Sequence, residues 1–321
     1  MSGGIDPGRI SLRLTCRDGR VTEAAVASER PRAAVAFRGR AADDVPRLVP
    51  LLFALCGRAQ GRAAELAVAA ARGSSVPPHV DDAVTREALR EHLWRWLLDL
   101  PPLLGLAPMR EEFPRAARAI ADGRWDELRT LLADHRVVEM QARLVEMDDV
   151  ADTGPHLLPW LDAEGSIAAW ARLTEGFCNL PNWQGAAAET GALARRGDAG
   201  NLGGAIAAHW LSRLAELRQG ADGSLCDSRV GRISSASPAA GSGRALVETA
   251  RGLLMHEVDI DGDGRVADYR IVAPTEWNFH PDGPLRGWLL GRPADGSLRG
   301  ILERAVLALD PCVRWEVEIR G

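Results

Sequence analysis

The sequence contains no lysine, although it has 321 residues and 39 basic side chains, so every basic residue is an arginine. A lysine side-chain amine is therefore not available for Schiff-base chemistry, as a general base or for a phosphate-binding P-loop. Codon bias in a GC-rich genome is the simplest explanation, since alanine, arginine and glycine are all abundant. The lack of lysine restricts the chemistry of the protein without identifying it.

Several other features are scarce or missing, and each excludes a class of protein. No apolar run approaches the roughly 18 residues of a membrane span, and the amino terminus shows no secretion signal. The net charge of -5 and the mixed signs along the chain argue against a nucleic-acid partner. Five cysteines at wide spacings do not resemble a disulfide framework. We therefore expect a soluble, cytoplasmic protein with reduced thiols.

Two patterns that often indicate metal sites are absent or incomplete. The seven histidines show no HxxxH or HExxH spacing, which excludes the common zinc-hydrolase arrangement. Asp259, Asp261 and Asp263 match the first half of a calcium-binding loop, but its twelfth position is Arg270, a cation. The flanking residues alternate as strands do, so we interpret this segment as the turn of a hairpin.

The apolar pattern predicts strands at both ends of the chain. Near the start, Ile10, Leu12 and Leu14 alternate with polar residues, and a turn follows. Near the end, the alternation from Val313 to Ile319 predicts a half-buried strand. The sequence therefore predicts small antiparallel sheets.

Helical patterns occupy most of the remaining chain. An alanine-rich segment at 60–71 and an apolar face on the segment after Asp81 predict the first long helices, and further helices extend to Leu217. The small, polar stretch 219–243 is typical of a long or mobile loop. The predicted fold class is α+β, predominantly helical, with residues 1–321 in a single domain.

Four short motifs occur in a fixed order near the two ends of the chain. They are Leu55-Cys56-Gly57-Arg58-Ala59, Glu248-Thr249-Ala250-Arg251-Gly252, Pro274-Thr275-Glu276-Trp277-Asn278 and Asp310-Pro311-Cys312-Val313-Arg314-Trp315. In this order they resemble the RxCGxxC, EAPRG, PT-x-WN and DPCxxC motifs of [NiFe] hydrogenase large subunits. The resemblance implies a large-subunit-like fold whose small antiparallel sheets are formed by both chain ends.

The departures from these motifs bear on function. Cys56 and Cys312 match the first cysteine of each pair, whereas Ala59 and Trp315 replace the second. In the family, four cysteines hold nickel and two of them bridge to iron, so two thiols imply that no nickel is bound. Trp315 alternates in phase with Val313, and we expect its indole to fill part of the metal cavity.

With two thiols and part of a cyanide pocket, the chain is similar to the HupK/HoxV family of hydrogenase assembly proteins. The resemblance implies a non-enzymatic scaffold that binds iron transiently as an Fe(CN)2CO unit. HypC/HypD-type maturation proteins would deliver this unit, and the hydrogenase large subunit or another assembly factor would receive it.

The same resemblance assigns roles to individual residues. Cys56 and Cys312 would bind the metal, and Arg251, Thr275 and Asp310 would surround the cyanide ligands, to which guanidinium and hydroxyl groups can donate hydrogen bonds. We also expect Arg251 to lower the pKa of both thiols.

Two alternatives remain at this point. The chain could be a metal-free interaction protein that mimics the large subunit to hold a small subunit or a maturation factor, with both motif cysteines as buried relics. An active hydrogenase is disfavoured because the bridging cysteines are missing. We interpret the other thiols, Cys16, Cys178 and Cys226, as buried or incidental.

Overall fold

The computed structural model describes residues 8–53, 55–147, 156–197, 204–223 and 229–321, so Cys226 lies outside the described residues. The strands are β1 (Arg9–Arg17), β2 (Arg20–Glu29), β3 (Val76–Val80), β4 (Arg232–Ala239), β5 (Ser242–Thr249), β6 (Gly252–Ile260), β7 (Val266–Val272) and β8 (Arg314–Arg320). The helices are α1 (Val45–Leu52), α2 (Gly57–Ala71), α3 (Asp82–Trp94), α4 (Leu100–Leu103), α5 (Glu112–Asp122), α6 (Trp125–Leu132), α7 (His135–Glu146), α8 (Ala163–Ala169), α9 (Glu175–Asn179), α10 (Ala192–Arg196), α11 (Ala205–Ala221), α12 (Pro274–Asn278), α13 (Pro284–Leu289) and α14 (Leu298–Ala308). None of the described helices combines the length and the apolar character that a membrane crossing requires.

The first sheet joins the two ends of the chain in the order β2-β1-β8. β1 and β2 form an antiparallel hairpin, whose turn has Asp18 and Gly19 at positive φ. β8 pairs with β1 in parallel, with Trp315 opposite Ile10. The strands predicted at both ends are confirmed, but the sheet is mixed rather than antiparallel. No tight hairpin connects β8 to β1, so the connection imposes no antiparallel direction.

The second sheet is antiparallel and has the order β3-β4-β5-β6-β7. β5 is buried along its whole length, because both faces of the sheet are covered. On one face Val247 packs with alanines of α2, and on the other Leu246 packs with Trp277 of α12. This alternation places α2, which begins in the first motif, and α12, which is the third motif, against opposite faces of the same strands.

The prediction of a loop at 219–243 is wrong for the described part of that segment. α11 continues to Ala221, and β4 and the start of β5 occupy its second half, while residues 224–228 lie outside the described residues. A Cβ on Gly243 would lie 2.0 Å from the carbonyl oxygen of Ala67 in α2. The helix backbone therefore lies directly on the strand, and small residues that resemble loop composition are required for this contact.

The predicted hairpin that joins β6 to β7 is confirmed. β6 and β7 pair antiparallel, and the side-chain oxygen Oδ1 of Asp261 accepts hydrogen bonds from the backbone N–H groups of Asp263 and Arg265, at 3.0 and 2.9 Å. The aspartates of this segment thus stabilise a turn.

α3 carries several groups to the centre of the molecule. Its start is capped by Asp81, whose side chain accepts from the backbone N–H groups of Ala83 and Val84. A π-helical turn at 95–99 links α3 to α4, which ends directly after two prolines. Glu87, Glu91 and Arg95 all reach the candidate site from this continuous segment.

Candidate functional site

A cavity of about 350 Å³ lies where the two ends of the chain meet, and both motif cysteines line it. Cys56 directly precedes α2, and Cys312 stands between α14 and β8. Apolar side chains form much of the remaining wall: Leu52, Phe53, Leu55, Leu254, Ala273, Pro274 and Val313. We call this space the thiol cavity.

Arg251 and Thr275 also line the thiol cavity, whereas Asp310 lies behind its wall. The hydroxyl oxygen of Thr275 is 3.1 Å from the sulfur of Cys312. Nη1 of Arg251 donates to the carboxylate of Glu91, and its Nε is 3.4 Å from Oδ1 of Asp310. The structure thus brings together four of the five residues predicted from the motifs and uses the fifth to hold Arg251.

Asp310 anchors the loop that carries Cys312. It has a positive φ of 56° and is 1% exposed, and its Oδ1 accepts from Nε of Arg95 at 2.7 Å. Nη2 of Arg95 also donates to the carbonyl oxygen of Pro311 at 3.1 Å. Burial alone would raise the pKa of Asp310, but the guanidinium groups of Arg251 and Arg95 hold it well below its usual range. Asp310 is therefore ionised and binds two arginines at once.

A chain of hydrogen bonds reaches Cys56 from the opposite side. Nε2 of Gln60 donates to the sulfur of Cys56 at 3.8 Å, and Oε1 of Gln60 is 2.9 Å from Nε2 of His256. Nδ1 of His256 is 2.7 Å from the hydroxyl of Tyr269. An amide oxygen only accepts, so His256 carries its proton on Nε2 and Tyr269 donates to Nδ1. Burial lowers the pKa of His256 to about 3, which keeps the whole chain neutral.

Cys56 is a protonated thiol at neutral pH. Burial, together with Cys312 and Glu91, raises the pKa of Cys56 to about 12, although Arg251 acts in the opposite direction. The expectation that Arg251 makes this thiol acidic therefore does not hold. Desolvation outweighs a single guanidinium that is already paired with two carboxylates.

Two carboxylates of α3 lie close to Cys56. The two carboxylate oxygens of Glu87 accept hydrogen bonds from the backbone N–H groups of Arg58 and Ala59, at 2.9 and 3.0 Å, and so cap the start of α2. Burial raises the pKa of Glu91 to about 7, against the effect of Arg251. Glu87 thus fixes the start of the helix that follows Cys56, and both acids contribute to the high pKa of this thiol.

Arg30 is a cavity residue that the sequence analysis did not identify. It follows β2, lines the thiol cavity, and donates from Nη1 to the carboxylate of Glu276 at 3.0 Å. Burial lowers its pKa, but Cys312, Glu276 and Cys56 raise it, with a net increase above the usual value. No recognised motif includes the segment Glu29-Arg30-Pro31-Arg32, which has the composition of an ordinary loop after a strand. Its position in the same cavity as the two thiols becomes evident only in the folded chain.

The two residues that replace the second motif cysteines lie elsewhere. Neither Ala59 nor Trp315 lines the thiol cavity. Ala59 is buried in the core around α2, and Trp315 packs, half-buried, against the core beside the terminal sheet. The prediction that Trp315 fills the cavity is therefore wrong. In β8 this indole faces the same core as Val317, so its side chain supports the sheet.

The remaining cysteines within the described residues are free and half-buried. Cys16 packs against the core of the terminal sheet, and Cys178 packs beside the aromatic side chains of α9 and α12. Across the part of the chain that the structure describes, no cluster of three or more His, Cys, Asp or Glu side chains could hold a metal ion. Cys56 and Cys312 are thus the soft ligands that the thiol cavity offers.

The chain is similar to known proteins over nearly its whole length. A family model described as nickel-dependent hydrogenase matches residues 191–314. The sequence is 32% identical to the hydrogenase expression/formation protein HupK of Rhizobium leguminosarum bv. viciae, over 98% of each chain. It is 33% identical to the hydrogenase expression/formation protein HoxV of Cupriavidus necator, over 95% of each chain.

Solved structures show the same likeness in fold. The nickel-iron-selenium hydrogenase of Desulfomicrobium baculatum matches with a TM-score of 0.63 and 16% identity, covering 93% of this chain and 95% of that chain. This likeness confirms the predicted large-subunit-like α+β architecture. At such low identity it concerns the fold alone.

Proposed function

Because the chain belongs to the family of HupK and HoxV hydrogenase expression/formation proteins, and so has a role in hydrogenase maturation, we propose that it is a scaffold for the Fe(CN)2CO unit. It would hold this unit transiently before the hydrogenase large subunit receives it. The observation that carries the proposal is the thiol cavity, in which Cys56 and Cys312 meet from distant parts of the chain. The iron unit is then cargo, and the chain is not an enzyme.

The ligand set of the cavity suits this cargo. Thiolates are soft ligands that iron with strong-field partners accepts. An iron that already carries one CO and two cyanides needs few protein ligands, and the cavity offers two. The four thiolates of a hydrogenase nickel site cannot be built from Cys56 and Cys312, so we expect no nickel.

The remaining wall supplies complementary contacts for the diatomic ligands. Thr275 places a hydroxyl beside Cys312, and Arg251 is held in the wall by Glu91 and Asp310. Such donors stabilise anionic cyanide, whereas the apolar side chains favour neutral CO. Asp310 acts indirectly, since it orients Arg251 without lining the cavity.

Loading would be coupled to proton release. Cys56 is protonated at neutral pH, so a metal must displace its proton, and the affinity for the cargo should increase with pH. In the other direction, reprotonation of this buried thiol would favour release. A high thiol pKa therefore suits a carrier that must give up its iron. HypC/HypD-type proteins would act as donors in this scheme.

Infrared spectroscopy of protein purified anaerobically, after co-production with the maturation machinery, tests the proposal. We expect CO and cyanide stretching bands together with bound iron and without nickel. In the Cys56→Ala/Cys312→Ala variant, the bands and hydrogenase maturation should both be lost, with unchanged folding and partner binding. Cys16→Ala, which removes a thiol outside the cavity, is the matched control. A wild-type protein with neither bands nor iron would overturn the proposal.

The protonated state of Cys56 also favours one alternative function. If both cysteines are relics, the chain holds a hydrogenase small subunit or a maturation factor without any metal. In that case the double variant would support maturation as well as the wild type does. The same experiment therefore separates the two functions.

A further inference from the structure

A second cavity, of about 520 Å³, adjoins the thiol cavity. It lies between the short helical turn at 33–37, α9 and β7, and we call it the vestibule. The residues that line both cavities are Arg30, Pro31, Ala33, Phe53 and Ala273. Among the described residues, Arg30 is the only charged side chain in this shared wall. The side chain of Arg30 therefore borders both spaces.

Arg30 is held by an ion pair, but one of its hydrogen-bond donors has no partner within the described residues. Its side chain is 14% exposed, and Nη1 is bound to Glu276, which is 11% exposed. Nε is shielded from solvent and has no hydrogen-bond partner within the described residues. Buried polar groups are nearly always paired, so this unpaired donor in the cavity wall can bind a ligand without breaking an existing hydrogen bond.

The other charges around the thiol cavity are already paired. Glu91 binds Arg251, Asp310 binds Arg95, and Glu276 binds Arg30 itself. Of the residues that the structure describes, the charged side chains that line the thiol cavity are Arg30 and Arg251, so an entering ligand meets guanidinium groups rather than carboxylates. The cavity therefore favours a negatively charged ligand over a cation.

We infer that Arg30 is the group through which the thiol cavity admits and holds an anion, with Nε–H as the donor to the ligand and Glu276 fixing the guanidinium. The ligand class is a small inorganic anion or an anionic metal complex, entering from the vestibule. Where that anion is the cyanide-bearing iron unit, the inference rests on the proposed function. The anion preference itself requires no metal.

Thiol reagents of opposite charge test this inference without iron. A methanethiosulfonate bearing a sulfonate and one bearing a trimethylammonium group both react with a thiolate, which forms a mixed disulfide and releases methanesulfinate. The chain would keep Cys312 as its single cysteine, with serine at the other four positions. Because both reagents react with the same thiol, the ratio of their rates does not depend on the intrinsic reactivity of that thiol. We expect the anionic reagent to react faster, and Arg30→Gln to lower the ratio about tenfold.

Arg32→Gln is the matched control. Arg32 lines the vestibule but not the thiol cavity, and it pairs with Glu175. This variant should leave the ratio unchanged, and Arg30→Lys should retain most of the preference because it retains the charge. A chain with Cys178 as its single cysteine reports on the vestibule, where Arg30→Gln should have the smaller effect.

The outcomes are distinct from those of the infrared experiment. An unchanged ratio in Arg30→Gln, or an equal fall in Arg32→Gln, overturns the role of Arg30 even if iron is bound. A tenfold fall without infrared bands leaves Arg30 as an anion-binding residue and removes the iron scaffold. If Arg30→Gln lowers thermal stability, Arg30→Gln/Glu276→Gln removes the unpaired acid and must show the same lowered ratio.

Discussion

Cys56 and Cys312 face the same cavity from walls that are built in different ways. Cys56 is oriented by neutral hydrogen bonds, from Gln60 through His256 to Tyr269. Cys312 lies in a loop held by charges, because Asp310 binds Arg95 and Arg251 behind it. We call these the neutral wall and the ionic wall.

This difference has an energetic consequence. Removing one partner from the ionic wall leaves buried charges without compensation, which is costly in a poorly hydrated interior. Removing one partner from the neutral wall leaves a single uncharged group unpaired, at lower cost. The ionic wall should therefore determine whether the loop of Cys312 forms. The neutral wall should affect only the orientation of the Cys56 side chain.

Asp310→Asn should have the largest effect on stability. It leaves Arg95 and Arg251 buried beside a neutral amide, and we expect a loss of about 3–5 kcal/mol in the free energy of unfolding. Denaturant titration measures this loss. Glu318→Gln, which removes an exposed partner of Arg320, serves as the control and should cause no measurable change. Equal effects of the two substitutions would show that the ionic wall does not anchor the loop.

Acidification should affect the neutral wall through His256. Its pKa is about 3 in the folded chain and near 6.5 when unfolded, so only the unfolded chain binds the proton between these values. The stabilisation is complete above pH 6.5 and is lost as the pH falls toward 3, by about 1.4 kcal/mol per pH unit. The free energy of unfolding should therefore fall by about 2 kcal/mol more in the wild type than in His256→Gln between pH 6.5 and 5. Parallel pH profiles would contradict this account.

Tyr269→Phe should have the smallest effect. It removes the donor to Nδ1 of His256 and should lower the free energy of unfolding by about 1 kcal/mol. In a double-mutant cycle with His256→Gln, the two losses should not add, because both variants break the same hydrogen bond. Additive losses would show that the two side chains act independently.

Periodicity, or resemblance to a known family over short segments, was sufficient to predict some features. The alternation of Ile10, Leu12 and Leu14 predicts β1, and each of these side chains is buried. The motif order predicts that Cys56 and Cys312 share a site, and both line one cavity. Such features depend on periodicity or on a resemblance over short segments.

The failures of prediction share a different cause. The small, polar residues of β4 include Ser234 and Ser235, which accept hydrogen bonds from the backbones of two distant segments, at Ala163 and Val76. Arg30 follows β2 and lines the thiol cavity, and no local pattern indicates this role. These roles depend on contacts between residues far apart in the chain.

The sequence by itself determined the chemical inventory: two motif thiols instead of four, arginine as the only basic side chain apart from histidine, and no lysine amine. Only the tertiary structure decided how these groups behave. It buries Cys56 beside Glu91, which keeps the thiol protonated, and it places Arg30 between two cavities. The physical reason is that pKa values and ligand preference depend on desolvation and on nearby charges, which distant segments supply only when the chain is folded.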